Sequence, residues 1–147
     1  MNRFGKEQFL MLGVLSLCGC GGMELECDSL ESRNSVVKII ADDKNNALVN
    51  YAANNSNAVA AMIADANVGA EKLAILEEAK RGAVYKLDDT IRIKSRDRAA
   101  HAVTCSGALD VTVADTTAQK EIEFKIEQTM DGKMLVSVDP FLFRAFE

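Results

Sequence analysis

The stretch Val103-Thr104-Cys105-Ser106-Gly107-Ala108-Leu109-Asp110-Val111-Thr112-Val113 decides the fold. In an extended chain Val103, Cys105, Gly107, Leu109, Val111 and Val113 fall on one side, and Thr104, Ser106, Asp110 and Thr112 on the other. A period of two belongs to a strand. One apolar side and one polar side mean a sheet with one face on a core and one in water, which is antiparallel behaviour. The same alternation recurs on both flanks. Ile91 and Ile93 alternate with Arg92 and Lys94, and Ile122, Phe124 and Ile126 with Glu121, Glu123, Lys125 and Glu127. Met134, Val136 and Val138 alternate with Lys133, Leu135, Ser137 and Asp139. Asp131-Gly132 separates the last two strands, where a tight primed turn needs positive φ. Arg96-Asp97-Arg98 and Asp115-Thr116-Thr117 supply the other turns.

Before Gly82 the apolar period becomes 3.6. Leu30, Val36, Val37 and Ile40 predict a helix over 29–41, with Asp28 placed to cap it and Glu31 three residues on. Asp42-Asp43-Lys44-Asn45-Asn46 reads as a break. Further helices are expected over 46–53, carrying Leu48 and Tyr51, and over 58–66, carrying Val59, Met62 and Ile63. A last one is expected over 70–81, carrying Leu73 and Leu76. Asn54-Asn55-Ser56-Asn57 is a loop in this reading, Gly69 an interruption and Gly82 a stop. Helices first and strands second predict an α+β fold, with N-terminal helices packed on one face of a four-stranded antiparallel meander.

The first nineteen residues do not belong to that domain. Arg3 and Lys6 give a basic start, and Phe9 to Leu17 is an almost unbroken apolar run. The run has the length of a signal-peptide core and falls short of the roughly 20 residues that a spanning helix needs. It ends in Leu17-Cys18-Gly19-Cys20. A large aliphatic residue three before a cysteine, with a small residue directly before it, resembles the lipobox of bacterial lipoproteins. That resemblance implies cleavage before Cys20 and attachment of acyl chains such as palmitate to Cys20. Cys18 is the poorer acceptor, because Leu17 precedes it. Two or three acyl chains anchor a protein stably where one does not. The expected organisation is a lipoprotein signal peptide at 1–19 and a lipid anchor and tether at 20–28. A single domain follows at 29–139, helical over about 29–81 and a sheet over about 84–139, with a tail at 140–147. Position 21 is Gly rather than the Asp that resembles an inner-membrane retention signal. The expected location is therefore the cell envelope, at the outer membrane facing the periplasm.

Processing would shorten the chain from 147 to 128 residues, one domain's length. Loss of Arg3, Lys6 and Glu7 moves the net charge from −5 to −6. No segment carries a basic cluster, so nucleic acid is not an expected partner. Trp is absent and aromatics are few, which argues against a platform for stacking sugars. With Cys20 acylated and Cys18 removed, Cys27 and Cys105 remain. A pair of cysteines in an exported protein is most simply a disulfide, with two free thiols as the alternative. The bridge would close a loop of about 79 residues, for which chain entropy gives roughly 4–4.5 kcal/mol as an upper figure. One His and two Cys lack metal-ligand spacing.

Taken together, Leu17-Cys18-Gly19-Cys20, Cys27-Asp28-Ser29, Thr104-Cys105-Ser106-Gly107-Ala108-Leu109 and Asp131-Gly132-Lys133 with Val136 and Val138 resemble a loose group of small two-cysteine bacterial lipoproteins, mostly of unassigned function. Residues 45–67 are extra length relative to that pattern. The resemblance implies a compact helix-on-sheet domain with a disulfide, and it carries no activity and no catalytic residue.

Candidates for chemistry are few. His101, with Asp97 and Asp110 nearby in sequence, is the residue to test as a general base, and no Gly-x-Ser-x-Gly accompanies it. Asp42-Asp43 and Asp88-Asp89 are acidic pairs without calcium-loop spacing. Lys80-Arg81 ends a helix. Arg92, Lys94, Arg96 and Arg98 alternate along one strand, so their charges share a face, to meet an acidic partner or anionic lipid head groups or else to protect a sheet edge. Asn54-Asn55-Ser56 spells a glycosylation sequon that bacteria do not generally use. Pro140-Phe141-Leu142-Phe143 is an aromatic tail expected to pack under the helices.

The expectation is a non-enzymatic binding domain, with no catalytic residue, metal or cofactor and no small-molecule substrate. It is held to the membrane by its N-terminal lipid and contacts another envelope protein. One form of it is an inhibitor, exclusion or immunity lipoprotein. The other expectation is an accessory structural subunit of an envelope secretion or transport complex.

Overall fold

The computed structural model describes residues 24–43 and 46–139. The expected signal peptide, the acceptor Cys20, the start of the tether and the tail at 140–147 lie outside them. Among the described residues the fold is α+β, with four helices before an antiparallel sheet. Helix α1 runs Leu30–Asp42, α2 Ala47–Asn55, α3 Asn57–Asp65 and α4 Gly69–Arg81. The strands are β1 Val84–Leu87, β2 Arg92–Asp97, β3 Ala102–Val113, β4 Thr116–Gln128 and β5 Met134–Val138.

Helix α1 begins one residue later than expected. Ser29 rather than Asp28 caps it, its hydroxyl accepting from the Ser32 amide at 3.2 Å. Val36 and Ile40, one turn apart, bury one face, whereas Leu30 turns outward. Asn46 joins α1 to α2. Its side-chain oxygen accepts from the Leu48 and Val49 amides, and its Nδ2 donates to the Ile40 carbonyl at 3.2 Å. The expected loop at 54–57 is a single residue, Ser56, which caps α3. Gly69 is the first residue of α4 rather than a gap.

The sheet has five strands where four were expected. Its central pair is the long β3–β4 hairpin, registered from Ala102↔Glu127 to Val113↔Thr116. Strand β5 pairs with the far edge of β4, Phe124 opposite Val138. The added strand β1 pairs with β3 over Val84↔Thr112 to Leu87↔Leu109, and β2 pairs with the other half of the same edge. The two short strands thus share one edge of β3. Gly107, at their junction, makes room for the connection. A Cβ there would come within 3.3 Å of Leu87 Cδ1 and 3.4 Å of Ile91 Cγ1.

Register sorts the central hairpin as the alternation requires. Val103, Cys105, Leu109, Val111 and Val113 of β3 join Ala118, Ile122, Phe124 and Ile126 of β4 in the core. Val36, Ile40, Leu48, Val49, Ala52, Ala53 and Val59 complete it from the helices. Helix α4 contributes no fully buried residue and touches the core through half-buried Leu76 and Ala79. Cys27 and Cys105 are bonded, with their Cα atoms 6.0 Å apart. The bridge fastens the chain just before α1 to the fourth residue of β3.

Candidate functional site

Two hairpin turns and the start of the described chain meet at one end of the domain. The β2–β3 turn spans 98–101, and the β4–β5 turn lies alongside it, since the Gln128 amide donates to the His101 carbonyl at 2.9 Å. Arg96 extends from β2 to the incoming chain. Its guanidinium donates to the Leu25 carbonyl at 3.2 Å and pairs with Glu24 at 3.2 Å. Ser32 donates to the Glu26 carbonyl at 3.0 Å. With the Cys27–Cys105 bond, residues 24–27 are fixed at three successive points. Two clefts flank that segment. One, of about 480 Å³, is lined by Glu24, Arg96, Arg98, His101 and Gln128. The other, of about 840 Å³, lies between Leu25, Ser32, Gln128, Lys133 and Met134.

His101 stands at the mouth of the first cleft, exposed and with φ +46°. This is left-handed backbone, which histidine tolerates better than most residues. Its position serves the turn. Asp97 is close in space, but its carboxylate accepts from the Ala100 amide at 3.0 Å. Asp110 lies nearly the whole length of β3 away, accepting from Gln119 at 2.7 Å. The three residues that sequence places near each other are not brought together.

The acidic pairs also serve local structure. Asp42 pairs with Lys38 at 2.7 Å, and Asp89 with Arg33 at 2.8 Å. Asp88 accepts from the Thr90 amide at 3.0 Å, a bond that holds its carboxyl below the usual carboxylate range. Lys80 and Arg81 pair with Glu77 and Glu78 one turn back. No group of three or more His, Cys, Asp or Glu among the described residues is placed to hold a metal.

The basic row does not share a face. A register shift between Ile93 and Ser95 breaks the alternation of β2. Arg92 lies opposite Ser106 on the polar side, whereas Arg96 lies opposite Val103 on the core side and turns to the incoming chain. Lys94, at the bulge, reaches Glu123 on β4, whose carboxylate raises the lysine above its usual range. A bulge re-aims side chains in this way, and sequence alternation does not reveal it.

The polar side of β3 and β4 forms a ladder of cross-strand pairs. Thr112 and Thr117 hydroxyls are 2.8 Å apart and Gln119 donates to Asp110 across the strands, while Lys125 pairs with Glu127 at 2.6 Å along β4 itself. Such a surface carries both hydrogen-bond donors and acceptors. Sequence reasoning found Cys27 and Cys105 but missed Arg96 as the latch on the incoming chain. The only signal for it was its place in an alternating row.

No family model matches the chain, and neither a curated protein nor a solved structure does.

Proposed function

We propose that the protein is a bacterial lipoprotein, exported, cleaved before Cys20 and acylated there, whose domain binds another envelope protein without catalysing a reaction. The observation that carries the reading is the buried Cys27–Cys105 bond. Disulfides of this kind persist in oxidising compartments, which agrees with export directed by the Leu17-to-Cys20 motif. The engagement of Asp97 in its turn and of Asp42, Asp88 and Asp89 in ion pairs and turns supports a binding role. In the proposed arrangement the helices cover one face of the sheet and β2 to β5 run as a meander. The ladder from Thr112 to Glu127 then faces the partner. An inhibitor, exclusion or immunity protein fits these features.

Membrane fractionation of cells expressing the full chain tests the anchor. The protein should pellet with membranes, and Cys20→Ala should abolish the acylated form. A membrane-bound, acylated Cys20→Ala protein would contradict the assignment. Crosslinking in intact cells tests the binding role. A single envelope protein joined to the β3–β4 polar face supports it. Recovery at fixed stoichiometry within a large envelope complex would replace the inhibitor form with a structural subunit.

A further inference from the structure

The chain from Glu24 onward is not a loose tether. Within four residues it is held by Arg96 at Glu24 and Leu25, by Ser32 at Glu26 and by the disulfide at Cys27. Only four peptide units lie between Cys20 and Glu24, and their full reach is about 14 Å. The head-group layer accounts for roughly 5–8 Å of that distance. The end of the domain that carries Glu24 therefore has little room to stand off from the bilayer.

That same end carries the β4–β5 turn, with Met130 fully exposed at its tip. The two clefts at this end are lined by Glu24, Glu26, Glu31 and Asp97 against Arg96, Arg98 and Lys133, and Asp131 pairs with Lys133 at 2.9 Å on the turn itself. This is a surface of mixed charge with an acidic excess and one projecting apolar side chain. Mixed charge complements zwitterionic head groups, and the acidic excess disfavours recruitment by anionic lipid. A flexible apolar chain gains by leaving water for the interface.

We infer that the domain sits directly on a zwitterionic phospholipid surface through this end, with Met130 inserted at head-group level and the 840 Å³ cleft opening beside it. The inference rests on the acylation of Cys20 proposed above. It fixes an orientation. Val84 lies opposite Thr112, ten residues along β3 from Ala102, so it stands roughly 33 Å farther from the bilayer if β3 is upright. The polar ladder would then run up the side of the molecule, open to a partner approaching along the membrane.

The chain contains no tryptophan, so one introduced residue serves as a sole reporter. The processed, acylated protein is reconstituted in phosphatidylcholine vesicles that contain brominated lipid, as Met130→Trp and as Val84→Trp. Both positions are exposed, so both variants should fold. Tryptophan at 130 should lose at least about half of its emission to the brominated chains, and tryptophan at 84 should lose little. Equal, weak quenching at both positions, with acylation verified by mass on the same sample, would overturn the seated orientation and leave the anchor intact. A mass without acyl groups would overturn the anchor and the orientation with it.

Discussion

Ser56 and Asp115 show how single residues hold the helical half on the sheet. Ser56 caps α3 through the Val59 amide at 3.1 Å, and its hydroxyl donates to the Asp115 carboxylate at 2.5 Å. Asp115 also accepts from the Ala58 amide at 3.2 Å, so the β3–β4 turn grips the first turn of the helix. Ser56→Ala should cost about 1–2 kcal/mol in urea unfolding, as lost helix caps do. The Ser56 hydroxyl is the main cause of an Asp115 pKa below the ordinary 3.8. A depressed carboxylate stabilises the fold above its ordinary value, and that contribution disappears as pH falls through the lower folded one. Asp115→Asn should therefore unfold with a flatter pH dependence below about pH 4 than the parent, read as the urea midpoint. Ala114, next to it, has φ +51°. Ala114→Gly should raise stability by up to about 1 kcal/mol, since glycine takes that conformation without steric cost. The Asp115 contacts were not legible in advance, because they join residues nearly sixty positions apart. The capping types were visible as a class, yet Asp28 and Ser29 are equivalent on paper. Backbone geometry chose Ser29.

Elements follow the same division between periodic signal and contact. Strands β3, β4 and β5 were readable because each is long enough for alternation to show. Strand β1 has four residues, Val-Tyr-Lys-Leu, directly after a helix, too few for a period to stand out. Its existence depends on the free half of the β3 edge, a property of the sheet. Burial also separates the helices. Leu48 on α2 is wholly enclosed, whereas Leu73 on α4 is 65% exposed. Leu48→Ala should cost about 2–5 kcal/mol, and Leu73→Ala should stay within about 0.5 kcal/mol, by urea unfolding. At Gly107 a larger side chain meets Leu87 and Ile91. Gly107→Val should cost about 1–3 kcal/mol through overpacking. Both helical patterns looked alike in sequence, since apolar spacing reports a face and leaves open what covers it.

At the scale of the whole molecule, the disulfide and Arg96 turn an N-terminal segment into a rigid mount. The cysteine pair was legible because counting left two, and α-before-β order was legible from the change of period at Gly82. The mount was not, because it requires a bulge in β2 to swing Arg96 away from its alternating neighbours. The measurement that bears most directly on the proposed lipid anchor and on the disulfide is intact mass spectrometry of the membrane-extracted protein, alkylated with and without reduction. The expected mass begins at Cys20, carries acyl chains, and gains two alkyl groups only after reduction, one each at Cys27 and Cys105. A mass that retains Met1, or one without lipid whose thiols alkylate before reduction, would contradict it.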